Sequence, residues 1–517
     1  MLEALRANRT RQAVSRTFTL RAPVGGLNMR DALAHMPASD AIICDNFFPE
    51  ANYLILRKGY SSHSTGVGTG VIQTLMTYHA RNGSEKLFAG ANAKIYDCTT
   101  AGAATVSYST AITVNKWQYT NFSNTAGTHI IAVNGTDAPL KYSGTAWSAA
   151  SLTGSISSIN DLINVWQHKE RMWFCEENSL DLWYLATQAI SGTLTKLPLG
   201  GVFSKGGQIV AGGTLSFDAG AGVDDYLVAI TDNGEAVVYS GITPASDFAL
   251  VGVFDVGRPV GRRCMVKVGG DLIITTTQGA VHLSAMIRND RAKANQVAIT
   301  AKISEGFNIA VRDYGTNFGW QSIVYPSGRW ALFNVPEVEG VSQTQFVQNI
   351  VTGAWCTFSN MNANCWGLLN DNIYFGGNGG VVYRADFSDL DVAEAVEGEL
   401  KTAFNYCGTS SNKMFTMMRP FILSPGTSDI TTGIDVDFNN DAPTNLFSEG
   451  LTSPSLWDVA TWNVDYWQAP ELVVRKWQTV GKIGACAAAH ILVSSEDGPA
   501  KINDIDLLLQ PAQGTVL

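Results

Sequence analysis

The chain has 517 residues, enough for several domains of roughly 100–200 residues each. Its 45 acidic residues outnumber its 35 lysines and arginines, which argues against a general nucleic-acid binder, because such a protein needs a basic surface. Only 15% of the residues are charged, 10% are aromatic and 50 are glycine, a composition that favours short strands and tight turns over long solvated helices.

Residues 1–20 are predicted to form a basic flexible arm. Between Met1 and Arg30 a single acidic residue, Glu3, accompanies six arginines: Arg6, Arg9, Arg11, Arg16, Arg21 and Arg30. Such a segment is either a solvated tail or an element that docks on an acidic partner or on phosphate, and both interpretations stay open. The arginines also interrupt any hydrophobic signal core, so we expect synthesis and folding in a cytoplasm without export.

Residues 21–85 are predicted to form an ordered N-terminal strap and docking segment. Pro23, Pro37 and Pro49 favour extended backbone, and Gly25-Gly26 favours a sharp bend. The strap is expected to run over a neighbouring subunit or a partner ring. The alternative is that it closes the propeller of its own chain.

Residues 86–386 repeat one unit, which is an apolar strand, a turn of Gly, Asn or Asp, and a second apolar strand. The copies start near residues 86, 129, 171, 226, 271, 330 and 372. Their spacing brackets the roughly 40–50 residues of a four-stranded propeller blade. Trp117, Trp166, Trp320 and Trp366 precede the repeats where an inner strand is expected. The pattern predicts an all-β fold with a β-propeller of six or seven blades.

Three further segments complete the predicted organisation. Ile299, Ile303, Phe307 and Val311 have helical spacing and predict an inserted helix near 296–313. Residues 387–400 are rich in acidic side chains and predict a linker. Residues 401–517 are predicted to form a separate β-sandwich-like domain, with four tryptophans in or near its core: Trp457, Trp462, Trp467 and Trp477.

Motifs that carry chemistry are weak in this sequence. It contains no phosphate-binding loop, no nucleophile elbow and no zinc-ligand spacing among its eight cysteines, which are predicted to be reduced and buried. Residues 435–441 resemble the start of a calcium loop, but Asn440 and Leu446 stand where Gly and Glu are required. We therefore predict no catalytic residue, no metal site and no cofactor.

Several N-terminal segments occur in a characteristic order. They are residues 21–31, 36–41, 45–50, 56–60 and 72–76, and Met417-Met418-Arg419-Pro420 opens the last domain. This order resembles the signature of the tail nozzle proteins of short-tailed bacteriophages, also called tail hub or packaged-DNA stabilisation proteins. The likeness extends weakly over most of the chain.

The resemblance implies a structural protein of the virion, made in the cytoplasm of the bacterial host. It implies a homo-hexameric ring below the adaptor and portal, which extends the DNA channel, retains packaged DNA and passes it during ejection. Tail fibres or spikes are the other implied partners, double-stranded DNA passes without sequence recognition, and neither an enzyme activity nor a small-molecule substrate is expected. An acidic lumen would repel phosphates and so prevent DNA from sticking.

Two other functions remain open. One is a carbohydrate-binding or carbohydrate-active β-propeller, although no sialidase-type box is complete in this sequence. The other is a cellular scaffold propeller that recruits proteins.

Overall fold

The computed structural model describes residues 15–218, 223–288, 297–425, 428–447 and 472–511. Strands dominate these residues, which confirms the all-β prediction. The chain divides into two compact units. One is Tyr60–Val351 with Phe358–Phe387, and the other comprises Met1–Gly59, Thr352–Thr357 and Ser388–Leu517. No described helix is both long and apolar enough to cross a bilayer.

The unit Tyr60–Val351 with Phe358–Phe387 is a β-propeller. In its described part, seven groups of neighbouring strands follow one another, and the inner strand of each contacts the inner strands of the groups before and after it. Six groups are sheets confined to this unit and the remaining one is the three-strand group Gln321–Asn349. The ring of contacts closes on itself, so we number the groups blades 1 to 7 in chain order.

The strands of the blades are given from the inside outward. Blade 1 is Thr74–His79, Glu85–Ala91, Lys94–Asp97 and Thr105–Tyr108; blade 2 is Gln118–Asn124, Gly127–Val133, Leu140–Tyr142 and Trp147–Ala149; blade 3 is Leu162–His168, Arg171–Glu176, Asp181–Tyr184, Gly192–Pro198 and Leu152–Gly154; blade 4 is Ile209–Asp218, Val223–Thr231, Glu235–Ser240 and Ala249–Asp255. Blade 5 is Met265–Val268, Asp271–Thr276 and Gly279–His282; blade 6 is Gln321–Tyr325, Trp330–Val338 and Ser342–Asn349; blade 7 is Cys365–Leu369, Asn372–Gly376, Val382–Ser388, Gly59–Thr65 and Gly102–Ala103.

The predicted repeats coincide with the second strands of the blades. Those strands begin at Glu85, Gly127, Arg171, Val223, Asp271, Trp330 and Asn372. The four tryptophans expected near inner strands also lie there, since Trp166 and Trp366 are within inner strands and Trp117 and Trp320 directly precede them. Alternation of apolar residues and turn chemistry was therefore sufficient to find the blades.

Blade 7 joins the two ends of the propeller chain. Its strand Gly59–Thr65 lies beside Val382–Ser388, although more than 300 residues separate them in sequence. This strand and Thr74–His79 both belong to the propeller. The propeller therefore starts earlier in the chain than the predicted residue 86. A sheet made from both chain ends closes the ring and leaves no open end.

Apolar side chains between neighbouring blades form the core of the propeller. Clusters of buried residues join blades 1 and 2, 2 and 3, 3 and 4, 4 and 5, and 7 and 1. After blade 5 the chain forms helix Leu283–Arg288, a 3-10 turn Ile299–Ile303 and helix Ser304–Tyr314. Phe307, from the predicted helical stripe, is fully buried and its ring lies 6.0 Å from that of Trp320.

The second unit contains two sheets. Sheet I has the order Leu472–Val474, Lys413–Ser424, Lys501–Pro511, Leu54–Leu56 and Phe47–Pro49, with Gln478–Gly484 also on Lys413–Ser424 and Arg16–Arg21 also on Lys501–Pro511. Within this unit, sheet II has the order Trp355–Phe358, Gly26–Leu27, Asp40–Asp45, Val396–Thr402, Ala487–Ser495, Ser428–Val436 and Asn445–Phe447.

The two sheets pack closely, in agreement with the predicted β-sandwich-like domain. Gly398 of sheet II lies close to sheet I, because a Cβ atom there would be only 2.5 Å from Leu56 Cδ1 and 2.7 Å from Phe47 Cε2. Of the four tryptophans predicted in this domain, Trp477 is partly buried, with the Arg419 guanidinium 4.5 Å from its ring centroid. Trp457, Trp462 and Trp467 lie outside the described residues.

The N-terminal segment is integrated into this unit. Residues 16–20 of the predicted flexible arm, together with Arg21 of the strap, form an antiparallel strand on Lys501–Pro511. The predicted strap contributes strands to both sheets. Residues 396–402, partly assigned to the acidic linker, are a strand of sheet II between Asp40–Asp45 and Ala487–Ser495. Backbone pairing with distant strands explains these differences, because composition does not reveal it.

A buried ion pair connects the strap to the segment that follows the propeller. Arg57 Nη2 and Nη1 donate to the two carboxylate oxygens of Asp391 at 2.6 and 2.8 Å. The Arg57 side chain is fully buried and that of Asp391 is 7% exposed. Arg57 Nε donates to Asn46 Oδ1 at 2.7 Å. The bidentate geometry holds together the two passages of the chain that flank the propeller in sequence.

Asp391→Ala is expected to lower the free energy of unfolding by about 3–5 kcal/mol, because it leaves the Arg57 charge buried without its carboxylate. Urea denaturation followed by tryptophan fluorescence measures the loss. The matched control Asp389→Ala removes an exposed carboxylate nearby and should change stability by no more than about 0.5 kcal/mol. Equal effects of the two substitutions would contradict a structural role for the pair.

Candidate functional site

A cavity of about 690 Å³ lies at the centre of the propeller. Residues from the inner strands of blades 1 to 6, and from the segments directly before them, line it. The lining is largely polar and includes threonines, asparagines, glutamines, one histidine and several cations. Its size falls in the range of small-molecule sites, roughly 300–1,000 Å³.

Arg263 reaches from the start of blade 5 to blades 1, 2 and 6. Its Nη2 donates to Thr74 Oγ1 at 2.8 Å and to the backbone oxygens of Gln73 and Trp117, both at 3.1 Å. Its Nη1 lies 3.5 Å from Gln321 Oε1. All four acceptors are neutral, and burial lowers the pKa of the guanidinium. One side chain thus links four of the seven blades near their axis.

His168, the last residue of the inner strand of blade 3, is a buried neutral base. Its Nδ1 lies 3.1 Å from Thr214 Oγ1, and the hydroxyl of Thr214 donates to the Gln167 backbone oxygen at 2.9 Å. Because that hydroxyl has one hydrogen, His168 Nδ1 must be the donor, which leaves Nε2 as an acceptor. Burial lowers the pKa of His168 to about 4, and the nearby Lys169 ammonium acts in the same direction.

Two more side chains that line the cavity keep buried polar atoms without a partner. Gln118 Nε2 and Trp166 Nε1 are buried donors that make no hydrogen bond in the described structure. The Trp166 ring is held against blade 4, because residue 212 is glycine and a Cβ there would lie 2.3 Å from Trp166 Cζ2. Buried polar groups normally find a protein, water or ligand partner. A water-sized molecule does not reach either of these two atoms, so they lie within the walls of the cavity and do not contact its contents.

The charge of the lining is opposite in sign to that of the whole chain. Lys169, Arg262, Arg263 and Lys267 line the cavity, with Asp225 as the one carboxylate of the described lining. Lys169 pairs with Asp224 and Arg262 with Glu177, each at 2.8 Å. Neither Arg263 nor Lys267 has a carboxylate partner among the described residues. This locally cationic cavity lies in a chain of formal charge −10.

The structure does not gather the six arginines predicted to make partner or assembly contacts. Arg16 and Arg21 are exposed at the two ends of one strand, and Arg30 pairs with Asp31 at 2.9 Å. Arg6, Arg9 and Arg11 lie outside the described residues. The contact role of these residues stays a prediction.

The carboxylates of the calcium-like segment form ion pairs with lysines. Asp435, the first residue of the calcium-like segment, is buried with its carboxylate 2.6 Å from Lys401 Nζ, and Asp441 lies 2.8 Å from Lys482 Nζ. Lysine side chains thus neutralise the carboxylates that a metal ion would need as ligands. Within the described ranges, no group of three or more His, Cys, Asp or Glu side chains could hold a metal ion. All eight cysteines are described, buried and unpaired, as predicted.

The cavity residues were missed as a site by sequence reasoning, which assigned Trp117 and Trp166 to the core. That assignment is correct for both, since Trp117 is buried in the apolar cluster between blades 1 and 2, and Trp166 in the cluster between blades 3 and 4. A usable signal was the pairing of polar residues at strand ends, His168-Lys169 and Arg262-Arg263. The first pair ends the inner strand of blade 3, and the second pair precedes the inner strand of blade 5.

No known protein-family model matches the chain, and no curated protein sequence matches it. Three similar solved structures are YCF48 from Cyanidioschyzon merolae, YCF48 bound to D1 peptide, and an exo-β-1,3-galactanase from Phanerochaete chrysosporium with β-1,3-galactotriose. Their identities to this chain are 11%, 8% and 10%, and their TM-scores are 0.39, 0.34 and 0.26. The alignments cover 63%, 65% and 76% of this chain and 98%, 96% and 95% of the others. These values carry no statement about activity, and the propeller assignment rests on the strand topology.

Acidification should destabilise the propeller through His168. Its pKa is about 4 in the folded protein and about 6.5 when unfolded, so between these values the unfolded chain binds the additional proton. Stability is therefore lost as pH falls from 6.5 to 4, by about 3 kcal/mol from this group. Urea denaturation at pH 7.5 and pH 4 should show that His168→Gln removes this part of the loss.

The matched control for this titration is His35→Gln, since His35 is an exposed histidine outside the propeller. It should keep the pH dependence of the wild type. An identical loss in the wild type and His168→Gln would contradict the assignment of a buried neutral imidazole.

Proposed function

We propose that this chain is a structural protein of a phage virion, the nozzle or hub subunit of a short tail. Six copies form a ring below the adaptor and portal, extend the channel for double-stranded DNA, retain packaged DNA and pass it during ejection. The order of the N-terminal segments 21–31 to 72–76 suggests the class, and the surface of the propeller supports a ring.

The proposal rests on the apolar outer edge of blade 4. Ala249–Asp255 is the last strand of that sheet, and among the described residues no strand pairs with its outer side. Leu250 and Val251 are 48% and 50% exposed on it, and Ile242, which precedes it, is 61% exposed. An exposed apolar edge is a template for pairing with another chain, so native proteins normally cover it.

A ring requires such an edge on a rigid body. Each subunit of a cyclic assembly presents one surface to its neighbour and receives a different one, so the two faces must hold a constant angle. The propeller supplies this rigidity, since its blades share apolar clusters and Arg263 links four of them near the axis. The net charge of −10 suits a conduit for DNA, because it disfavours adhesion of phosphates.

The arm contributes a second contact in this proposal. Arg6, Arg9 and Arg11 precede the first described strand and would dock on an acidic surface of the adaptor. Arg16 and Arg21 belong to the strand Arg16–Arg21, so a truncation that tests the arm must stop at residue 14.

Native mass spectrometry of the purified chain, alone and with the adaptor, tests the assembly. We expect a species of six times the 55.5 kDa chain, and Leu250→Glu with Val251→Glu should shift it to monomers because two carboxylates cannot be buried at the interface. Val106→Glu, at a 52% exposed valine on the outer strand of blade 1, is the matched control and should keep the ring.

The arm is tested in the same measurement by removing residues 1–14, which should leave the melting temperature unchanged and weaken the complex with the adaptor. A chain that stays monomeric with and without the adaptor would overturn the tail assignment. An unaffected ring in the doubly substituted protein would overturn the assignment of the interface to blade 4.

A carbohydrate-binding or carbohydrate-active propeller is the second candidate function. The central cavity favours it, since Trp166 and Tyr119 line it together with the amide side chains of Asn121 and Gln118. Aromatic faces and amides are suited to a polyhydroxylated ligand, because the rings cover its apolar face and the amides donate and accept hydrogen bonds.

A glycan array and a hydrolysis screen on the full chain test this second function. Under the tail assignment we expect no oligosaccharide to be retained or cleaved. A reproducible hit that is lost in Trp166→Ala, and kept in the exposed control Val106→Ala, would favour the carbohydrate function instead.

A further inference from the structure

We propose that the central cavity of the propeller is a binding site for a small hydroxylated anion, such as a sugar acid or a sugar phosphate. The inference does not depend on the tail assignment, and it departs from the sequence-based expectation that no small molecule binds. It concerns a bound ligand and involves no chemical step.

The charge of the lining favours an anion. Arg263 and Lys267 line the cavity without a carboxylate partner in the described structure. A cation removed from bulk water and surrounded by neutral acceptors is stabilised by an anion brought to the same site. Asp225 is the one described carboxylate of the lining, and its Oδ1 already accepts a hydrogen bond from Ser216 at 2.5 Å.

Neutral polar groups also line the cavity. Among them are the hydroxyl group of Thr120 and the amide groups of Asn121 and Gln167. Hydroxyl and amide groups both donate and accept hydrogen bonds. An oxyanion pairs with the cations, while these neutral groups suit hydroxyl groups on the same ligand.

The size of the cavity and its aromatic lining suit a small organic molecule. A volume of about 690 Å³ exceeds that needed for a bare inorganic ion and matches a small organic molecule. The side chains of Tyr119 and Trp166 add aromatic surface to the lining. Tyr119 Oη accepts a hydrogen bond from the Thr77 backbone N–H, which fixes this ring between blades 1 and 2.

Isothermal titration calorimetry of the full chain at pH 7.5 tests the site with four probes. D-glucuronate carries both features, D-glucose has hydroxyls without charge, cyclohexanecarboxylate has charge without hydroxyls, and D-glucose 6-phosphate replaces the carboxylate by phosphate. We expect glucuronate or glucose 6-phosphate to bind at least about tenfold more tightly than glucose and cyclohexanecarboxylate. Whichever of glucuronate and glucose 6-phosphate binds more tightly identifies the oxyanion as a carboxylate or a phosphate.

Variants connect the binding to the cavity. Lys267→Gln, at an exposed end of the lining, should weaken the charged probes about threefold, and Arg263→Gln should weaken them about tenfold or more. Lys58→Gln replaces an exposed lysine outside the propeller and is the matched control, expected to bind as the wild type does. If Arg263→Gln does not fold, Lys267→Gln and Thr120→Val decide, the latter by losing preference for the hydroxylated over the plain carboxylate.

Absence of binding by all four probes would overturn the proposal and leave water as the content of the cavity. Equal affinity of glucose and of both charged sugars, or unchanged affinity in Lys267→Gln and Arg263→Gln, would also overturn it. None of these outcomes bears on ring formation, because the mass of the assembly is measured separately and in the absence of any probe.

Discussion

The centre of the propeller depends on one cation that is stabilised without a counter-ion. The Arg263 guanidinium exchanges its water for the oxygens of Thr74, Gln73 and Trp117, which belong to blades distant from its own. Neutral acceptors of this kind lower the cost of burying the charge while they leave its field uncompensated. The same side chain therefore links the blades and makes the adjoining cavity positive. The hydrogen bonds of Arg263 thus account both for the rigidity of the propeller centre and for the proposed preference of the cavity for anions.

Long-range pairing organises both units in the same way. In the propeller, Gly59–Thr65 completes the blade of Val382–Ser388. In the other unit, Arg16–Arg21 pairs with the last strand, and Arg57 forms its buried ion pair with Asp391. Each unit thus uses residues from opposite ends of the chain, so neither is complete until most of the chain has been made. A body closed in this way gives a fixed surface on which an assembly can be built.

The net charge of the chain and the local charge of the cavity lining act on different ligands. The excess of ten acidic charges describes the field that a large polyanion meets, and it supports a conduit that DNA does not adhere to. A small ligand inside the propeller meets Arg263 and Lys267 instead, because these charges lie in the lining itself while water and salt screen the distant carboxylates. The proposed conduit and the proposed anion site are compatible for this reason. They act at different distances.

The sequence by itself determined the local part of this protein. Strand alternation and turn residues such as Asn233-Gly234 are encoded by neighbours, so the blades, the helix of Phe307 and the buried cysteines were predictable. Only the tertiary structure decided the closure by Gly59–Thr65, the strand made of Arg16–Arg21 and the meeting of Arg263 with Thr74. Those contacts join residues 189 or more positions apart, and no period or motif encodes which distant partner a strand edge or a guanidinium will meet.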